Sequence, residues 1–172
     1  MTDAPDTNIE KINKENDRKI CGIVMPISHM SDEYSSAHWS RVRSILETAI
    51  LKVEFTPRVV WDNPETPVIQ SKILKNIYEN DVVICDLSNL NPNVMLEAGL
   101  RLSTKKPTII VTDAEKKPPF DIATVEYISY PRNLEYNSIC SFINELSKRI
   151  ISEYKAYNSG NYKSFVENYQ FE

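Results

Sequence analysis

The chain has 172 residues, 41% of them hydrophobic and 26% charged, the composition of an ordinary soluble globular protein. This length suits one domain that buries about 70% of its unfolded surface. A net charge of −4 argues against a nucleic-acid polymer as the main partner and favours small metabolites or proteins. No stretch reaches the roughly 18 apolar residues of a membrane span, and the N-terminus lacks a signal-peptide core. A cytoplasmic protein without a membrane partner is therefore expected. Cys21, Cys85 and Cys140 are odd in number, widely spaced and set in apolar segments, which reads as buried free thiols of a reducing compartment.

Met1 to Asp17 are polar and lack hydrophobic periodicity, so residues 1–18 are predicted as a mobile tail. A single α/β domain follows over 19–157. Its first strand is predicted over Lys19 to Ile27, followed by a polar loop from Ser28 to Ser35. Ser36 to Lys52 is a helix in which Val42, Ile45, Leu46, Ala49 and Ile50 recur at helical spacing. Phe55 to Trp61 is a second strand, closed by Asp62-Asn-Pro64. Val68 to Tyr78 is a helix with Ile69, Ile73, Leu74 and Ile77 on one face. Asp81 to Leu87 is the third strand, its Val82–Cys85 run apolar throughout as in a central parallel strand. Asn91 suits an N-cap and Pro92 the first helical position, opening a helix to about Thr104. Pro107 to Thr112 is the fourth strand. Asp113 to Thr124, with two Lys and two Pro, is a long loop of the sort that often caps a site. Val125 to Tyr130 is the fifth strand, and Glu135 to about Tyr157 the terminal helix. Residues 158–172 form a Tyr-rich tail suited to packing on a neighbour.

Five strands alternating with helices predict a doubly wound, five-stranded parallel sheet in a three-layer sandwich, with right-handed crossovers placing helices on both faces. Ligands in such sheets bind outside the carboxyl ends of the strands, where strand order switches. That rule nominates Pro26, Ser28 and His29 after the first strand, Asp62 and Asn63 after the second, and Asp86, Ser88 and Asn89 after the third. In the helix after the third strand, Asn93, Glu97 and Arg101 share a polar stripe about 80° wide, flanked by apolar residues. Glu97 is thus a candidate active-site acid and Asp86 its strand-tip companion, since two carboxylates at one cleft can divide the roles of glycosidic bond cleavage. Asn91 and Asn93 mark a helix start whose N–H groups suit an anionic phosphate, and Ser28 and Ser88 add hydroxyl donors.

Plainer readings fit the same residues. Glu97 stands four residues before Arg101, the favourable order for a solvated ion pair. Asp86 suits a turn and Asn91 a cap. His29 and His38 lack a third ligand at metal spacing, and His38-Trp39 reads as packing of the first helix. No nucleophile elbow, no Gly-x-Gly-x-x-Gly and no Walker lysine loop occurs, which argues against a serine hydrolase, a Rossmann cofactor enzyme and a P-loop NTPase. No metal or cofactor is expected.

The run Ile-Tyr-Glu-Asn-Asp81-Val-Val-Ile-Cys-Asp86, then Asn-Pro-Asn93-Val-Met-Leu-Glu97-Ala-Gly99, then Lys106-Pro107-Thr-Ile-Ile-Val, resembles nucleoside 2-deoxyribosyltransferase-type proteins, which include 2′-deoxynucleoside 5′-phosphate N-hydrolases. The resemblance covers roughly residues 19 to 130 and implies a flavodoxin-like fold. It implies that Glu97 attacks or stabilises the anomeric carbon, with Asp86 and Ser28 carried over more loosely. It further implies a nucleoside, nucleotide or NAD-like substrate and a homodimer, because related folds complete the pocket from a neighbouring subunit. TIR-like domains share this arrangement. The expectation is therefore an N-glycosidase or deoxyribosyltransferase, with a TIR-like nucleotide-binding or signalling module without turnover as the rival.

Overall fold

The computed structural model describes residues 18–60, 69–116 and 126–168. Five strands, β1 (Ile20–Val24), β2 (Thr56–Val59), β3 (Val82–Asp86), β4 (Thr108–Thr112) and β5 (Tyr127–Ser129), form one sheet. Its order is β2-β1-β3-β4-β5 and every pairing is parallel. The helices between and after them are α1 (Ser36–Leu51), α2 (Ile69–Glu79), α3 (Pro92–Leu102) and α4 (Tyr136–Asn158). This is the doubly wound, three-layer α/β architecture expected from the alternation of elements. The predicted elements all occur, most of them a residue or more shorter than their apolar runs.

Side-chain alternation along the strands sorts the core into two layers. Cys21, Ile23, Val82, Ile84, Ile109 and Val111 pack with Trp39, Val42, Leu46 and Ile50 of α1 and with Ile139, Phe142, Leu146 and Ile150 of α4. On the other face, Val24, Val83, Cys85 and Ile110 meet Ile77 of α2 and Val94 and Ala98 of α3. All five residues of β3 are buried, because this central strand is covered on both faces. Gly22 permits one close approach: a Cβ there would stand 2.4 Å from Asn80 Nδ2. Cys21 and Cys85 are buried free thiols and Cys140 is a half-buried one; burial pushes the Cys85 thiol up to about 12.

Helix ends are set by local capping. Ser35 Oγ accepts from His38 N at 3.2 Å to start α1. The Glu135 carboxylate accepts from the backbone N–H groups of Asn137 and Ser138 to start α4, which holds it below the usual carboxylate range. Beyond α4, Gly160 takes a left-handed φ of +74° and the chain turns back onto its own domain. There Tyr162 Oη accepts from Thr108 N at 3.3 Å and donates to the Lys106 carbonyl at 3.1 Å, closing the amino end of β4. The start of the Tyr-rich tail thus packs on its own sheet through these two backbone bonds. No helix among the described residues is long and apolar enough to cross a membrane.

Candidate functional site

Strand order reverses between β1 and β3, the place at whose carboxyl ends such sheets bind ligands. Asp86, the last residue of β3, is fully buried. Its Oδ1 accepts from Ser88 N at 2.9 Å, the tight turn open to any strand-end aspartate. Its Oδ2 accepts from the Tyr130 hydroxyl at 2.7 Å. Ser88 Oγ lies 3.0 Å from that hydroxyl and accepts from Asp113 N at 2.8 Å. Asp113 in turn accepts from the Tyr34 hydroxyl at 2.6 Å. A continuous hydrogen-bonded chain thus links the tips of β3, β4 and β5 with the segment that precedes α1. Burial pushes the Asp86 carboxyl up to about 6; the bonds from Ser88 and Tyr130 pull it down, and nearby Asp113 pushes it up.

Between β3 and α3 the backbone is strained. Asn89 and Leu90 have left-handed φ values of 55° and 53°. Asparagine tolerates that region; leucine does so at a cost of roughly 1–2 kcal/mol. The turn is tied down from two sides. Lys116, after β4, donates to Asn89 Oδ1 at 2.6 Å, and the Asn89 and Asn91 amides donate to Met30 Sδ at 3.8 and 3.6 Å. Asn91 caps α3, its Oδ1 accepting from Asn93 N at 3.0 Å and Val94 N at 3.2 Å. The N–H groups read as open to a phosphate are therefore already partnered by this cap. Asn93 itself is exposed.

Glu97 lies midway along α3 and is half-buried. Burial alone raises its pKa. Among the described residues it has no hydrogen-bond or ion-pair partner. Arg101 does not face it. That side chain is fully buried and turns toward the amino ends of the strands, donating to the carbonyls of Ile77, Asn80, Asp81 and Pro107 at 2.6, 3.0, 3.4 and 2.9 Å. The solvated Glu97–Arg101 pair suggested by their spacing is thus absent. The cause is tertiary: the end of α2 and the turns into β3 and β4 converge on the last turn of α3, where only a long planar donor satisfies four carbonyls.

The remaining predicted residues fall as follows. Ser88 is buried within the network, while Ser28 is exposed on the loop after β1. Asp62, with Asn63, lies outside the described residues. His38 and Trp39 pack as expected, Tyr34 stacking on Trp39 at 5.4 Å and meeting His38 edge-on at 5.7 Å. A cavity of about 220 Å³ at the end of β1 is lined by Met25, Pro26, Ile27, Trp39, Ser40 and Arg43. Among the described residues no three His, Cys, Asp or Glu side chains are placed to hold a metal ion. Sequence reasoning missed Tyr34, Asp113 and Tyr130. Asp113 directly follows the predicted fourth strand and Tyr130 ends the predicted fifth, so the strand-tip rule applied to all five strands would have nominated both.

No family model matches the sequence, and no curated protein matches it. Among solved structures the fold is similar to the 2-deoxyribosyltransferase from Leishmania mexicana, at 16% identity and a TM-score of 0.46 over 73% of this chain and 97% of that one. It is also similar to the 2-deoxyribosyltransferase from the psychrotolerant bacterium Bacillus psychrosaccharolyticus, at 14% identity and a TM-score of 0.48 over 69% of this chain and 94% of that one.

Proposed function

We propose that this chain cleaves the base–sugar bond of a nucleoside, nucleotide or NAD-like substrate, by hydrolysis or deoxyribosyl transfer, through Glu97. The observation that carries this reading is the state of the Glu97 carboxyl: half-buried, raised in pKa and unpartnered among the described residues. A structural acid in such a place is normally paired. The sequence motif around it, Asn-Val-Met-Leu-Glu97-Ala-Gly99, supports the same role through its family resemblance.

In this reading a Glu97 oxygen meets the anomeric carbon as the bond to the base breaks. The bonding pair leaves with the base nitrogen, which takes a proton from solvent, and the water or second base that attacks next returns one to solvent. Water or a second base then attacks the same carbon and frees Glu97. Asp86 supports the turn beneath the helix start, because both its oxygens are engaged. That sequestration favours one rival, a nucleotide-binding module without turnover, since a buried Asp86 does not itself present a proton to a base.

Incubation with deoxynucleosides, their monophosphates and NAD, with free base followed by chromatography, separates the two. Glycosidic cleavage predicts release that falls by roughly 10³-fold or more in Glu97→Gln. It also predicts an acid limb in the kcat/KM profile above that of an ordinary glutamate, because the attacking carboxyl must be ionised. Nucleotide binding without release across the panel would establish the binding module instead.

A further inference from the structure

We propose that Tyr130, at the end of β5, is a positioning residue: its phenol, oriented by Ser88, holds the Asp86 carboxyl in place and couples the tips of β3, β4 and β5. Its consequence for base release rests on the function proposed above, whereas the hold on Asp86 does not.

The donor sequence is settled by elimination. Ser88 Oγ accepts the Asp113 N–H at 2.8 Å, so its own proton is free for the Tyr130 oxygen 3.0 Å away. The single Tyr130 proton then goes to Asp86 Oδ2 at 2.7 Å. Each hydroxyl gives one bond and takes one, so the chain has a single polarity that ends on Asp86. Asp86, Ser88, Tyr130 and Asp113 are all at least 95% buried, so water does not stand in for a missing member. The Tyr130 ring is fixed by Phe142 at 5.2 Å between centroids.

Among the described residues, the charged and titratable groups facing this carboxyl are few. Asp113 approaches from the β4 end and Tyr130 from β5. Behind Asp113 stand Tyr34 and His38, with the Arg132 guanidinium 5.8 Å from the Tyr34 ring centre. Asp113 opposes ionisation of Asp86 and the Tyr130 hydrogen bond favours it. Removing the phenol oxygen therefore raises the pH at which Asp86 ionises.

The test is a carbon-13 NMR titration of the aspartate carboxyls in the full chain, with Asp86 assigned through Asp86→Asn. Tyr130→Phe keeps the ring that packs on Phe142 and should move the Asp86 midpoint upward by roughly one pH unit. Ser88→Ala, which leaves the phenol without its orienting donor, should move it the same way by less, and serves if Tyr130→Phe does not fold. An unmoved midpoint in a folded variant overturns the proposal. Where base is released, the charge of Asp86 acts on kcat/KM through the turn that starts the Glu97 helix, so the profile of Tyr130→Phe should carry a limb displaced with the titration while KM stays within about twofold. A shifted titration with an unmoved profile overturns the positioning role in catalysis. If no base is released at all, the glycosidase reading fails and the titration alone decides whether Tyr130 holds Asp86.

Discussion

The two ends of β3 both bury polar side chains, by opposite means. At the amino end the partners are main chain: Asp81 Oδ2 accepts from Ile20 N at 2.7 Å, and Arg101 donates to four carbonyls. Two of those carbonyls, Ile77 and Asn80, lie at the end of α2, where the helix dipole favours a cation. At the carboxyl end the partners are side chains that can ionise: Asp86, Tyr130, Asp113 and Tyr34. Backbone carbonyls have no alternative protonation state, so the Arg101 end is scaffold. The carboxyl end changes charge with pH and has an acid, Glu97, unpartnered among the described residues, on the helix that starts from it. Polar burial by itself does not separate structure from chemistry; the identity of the partners does.

That contrast predicts very unequal stability effects for two residues of one helix. Arg101→Met leaves four carbonyls without their donor and should cost about 3–5 kcal/mol in urea denaturation. Arg101→Lys should recover less than half of the loss, because an ammonium lacks the planar fork that spans the turns. Glu97→Gln should change stability by less than about 0.5 kcal/mol while removing activity. Equal costs for Arg101→Met and Glu97→Gln would erase the distinction between the two ends.

The next largest effect lies at Asp86. Its folded pKa of about 6 exceeds the ordinary 3.8, so the folded state holds a proton that the unfolded chain has lost. The resulting stability is complete below about pH 4 and is lost as pH rises through 6, by about 3 kcal/mol. Asp86→Asn should remove this slope. The measurement is the difference between wild-type and Asp86→Asn unfolding free energies from pH 4 to 7.5, which cancels the other carboxylates. A difference independent of pH would mean that Asp86 does not titrate as a buried acid.

Local chemistry was the legible part of the chain. The Asn91-Pro92 helix start and the uninterrupted Val82–Cys85 run depend on neighbours within a few residues, and both occur as read. Arg101 was misplaced because helical angle groups it with Glu97, while its surroundings come from residues 77 to 81 and 107, remote from it in sequence or beyond the helix end. Tyr130 was missed for a related reason. Position at a strand end nominates such a tyrosine but says nothing of its role, which appears only when β3, β4 and β5 lie side by side. The polar stripe, the strand-tip rule and the resemblance nominate Glu97 and Asp86, and none of them says what holds Asp86.

The smallest predicted effect concerns the cap between the two ends. Asn91→Ala removes the acceptor for Asn93 N and Val94 N and should destabilise the protein by about 1 kcal/mol. Asn91→Asp keeps that acceptor and adds a charge favoured at a helix start, while losing the weak donation to Met30 Sδ at 3.6 Å. It should lie within a few tenths of a kcal/mol of wild type. Thermal unfolding of the two variants side by side resolves this difference. If Asn91→Asp were as damaging as Asn91→Ala, the amide contact with Met30 rather than the cap would be what Asn91 supplies, and the turn before α3 would belong with the side-chain network of the carboxyl end.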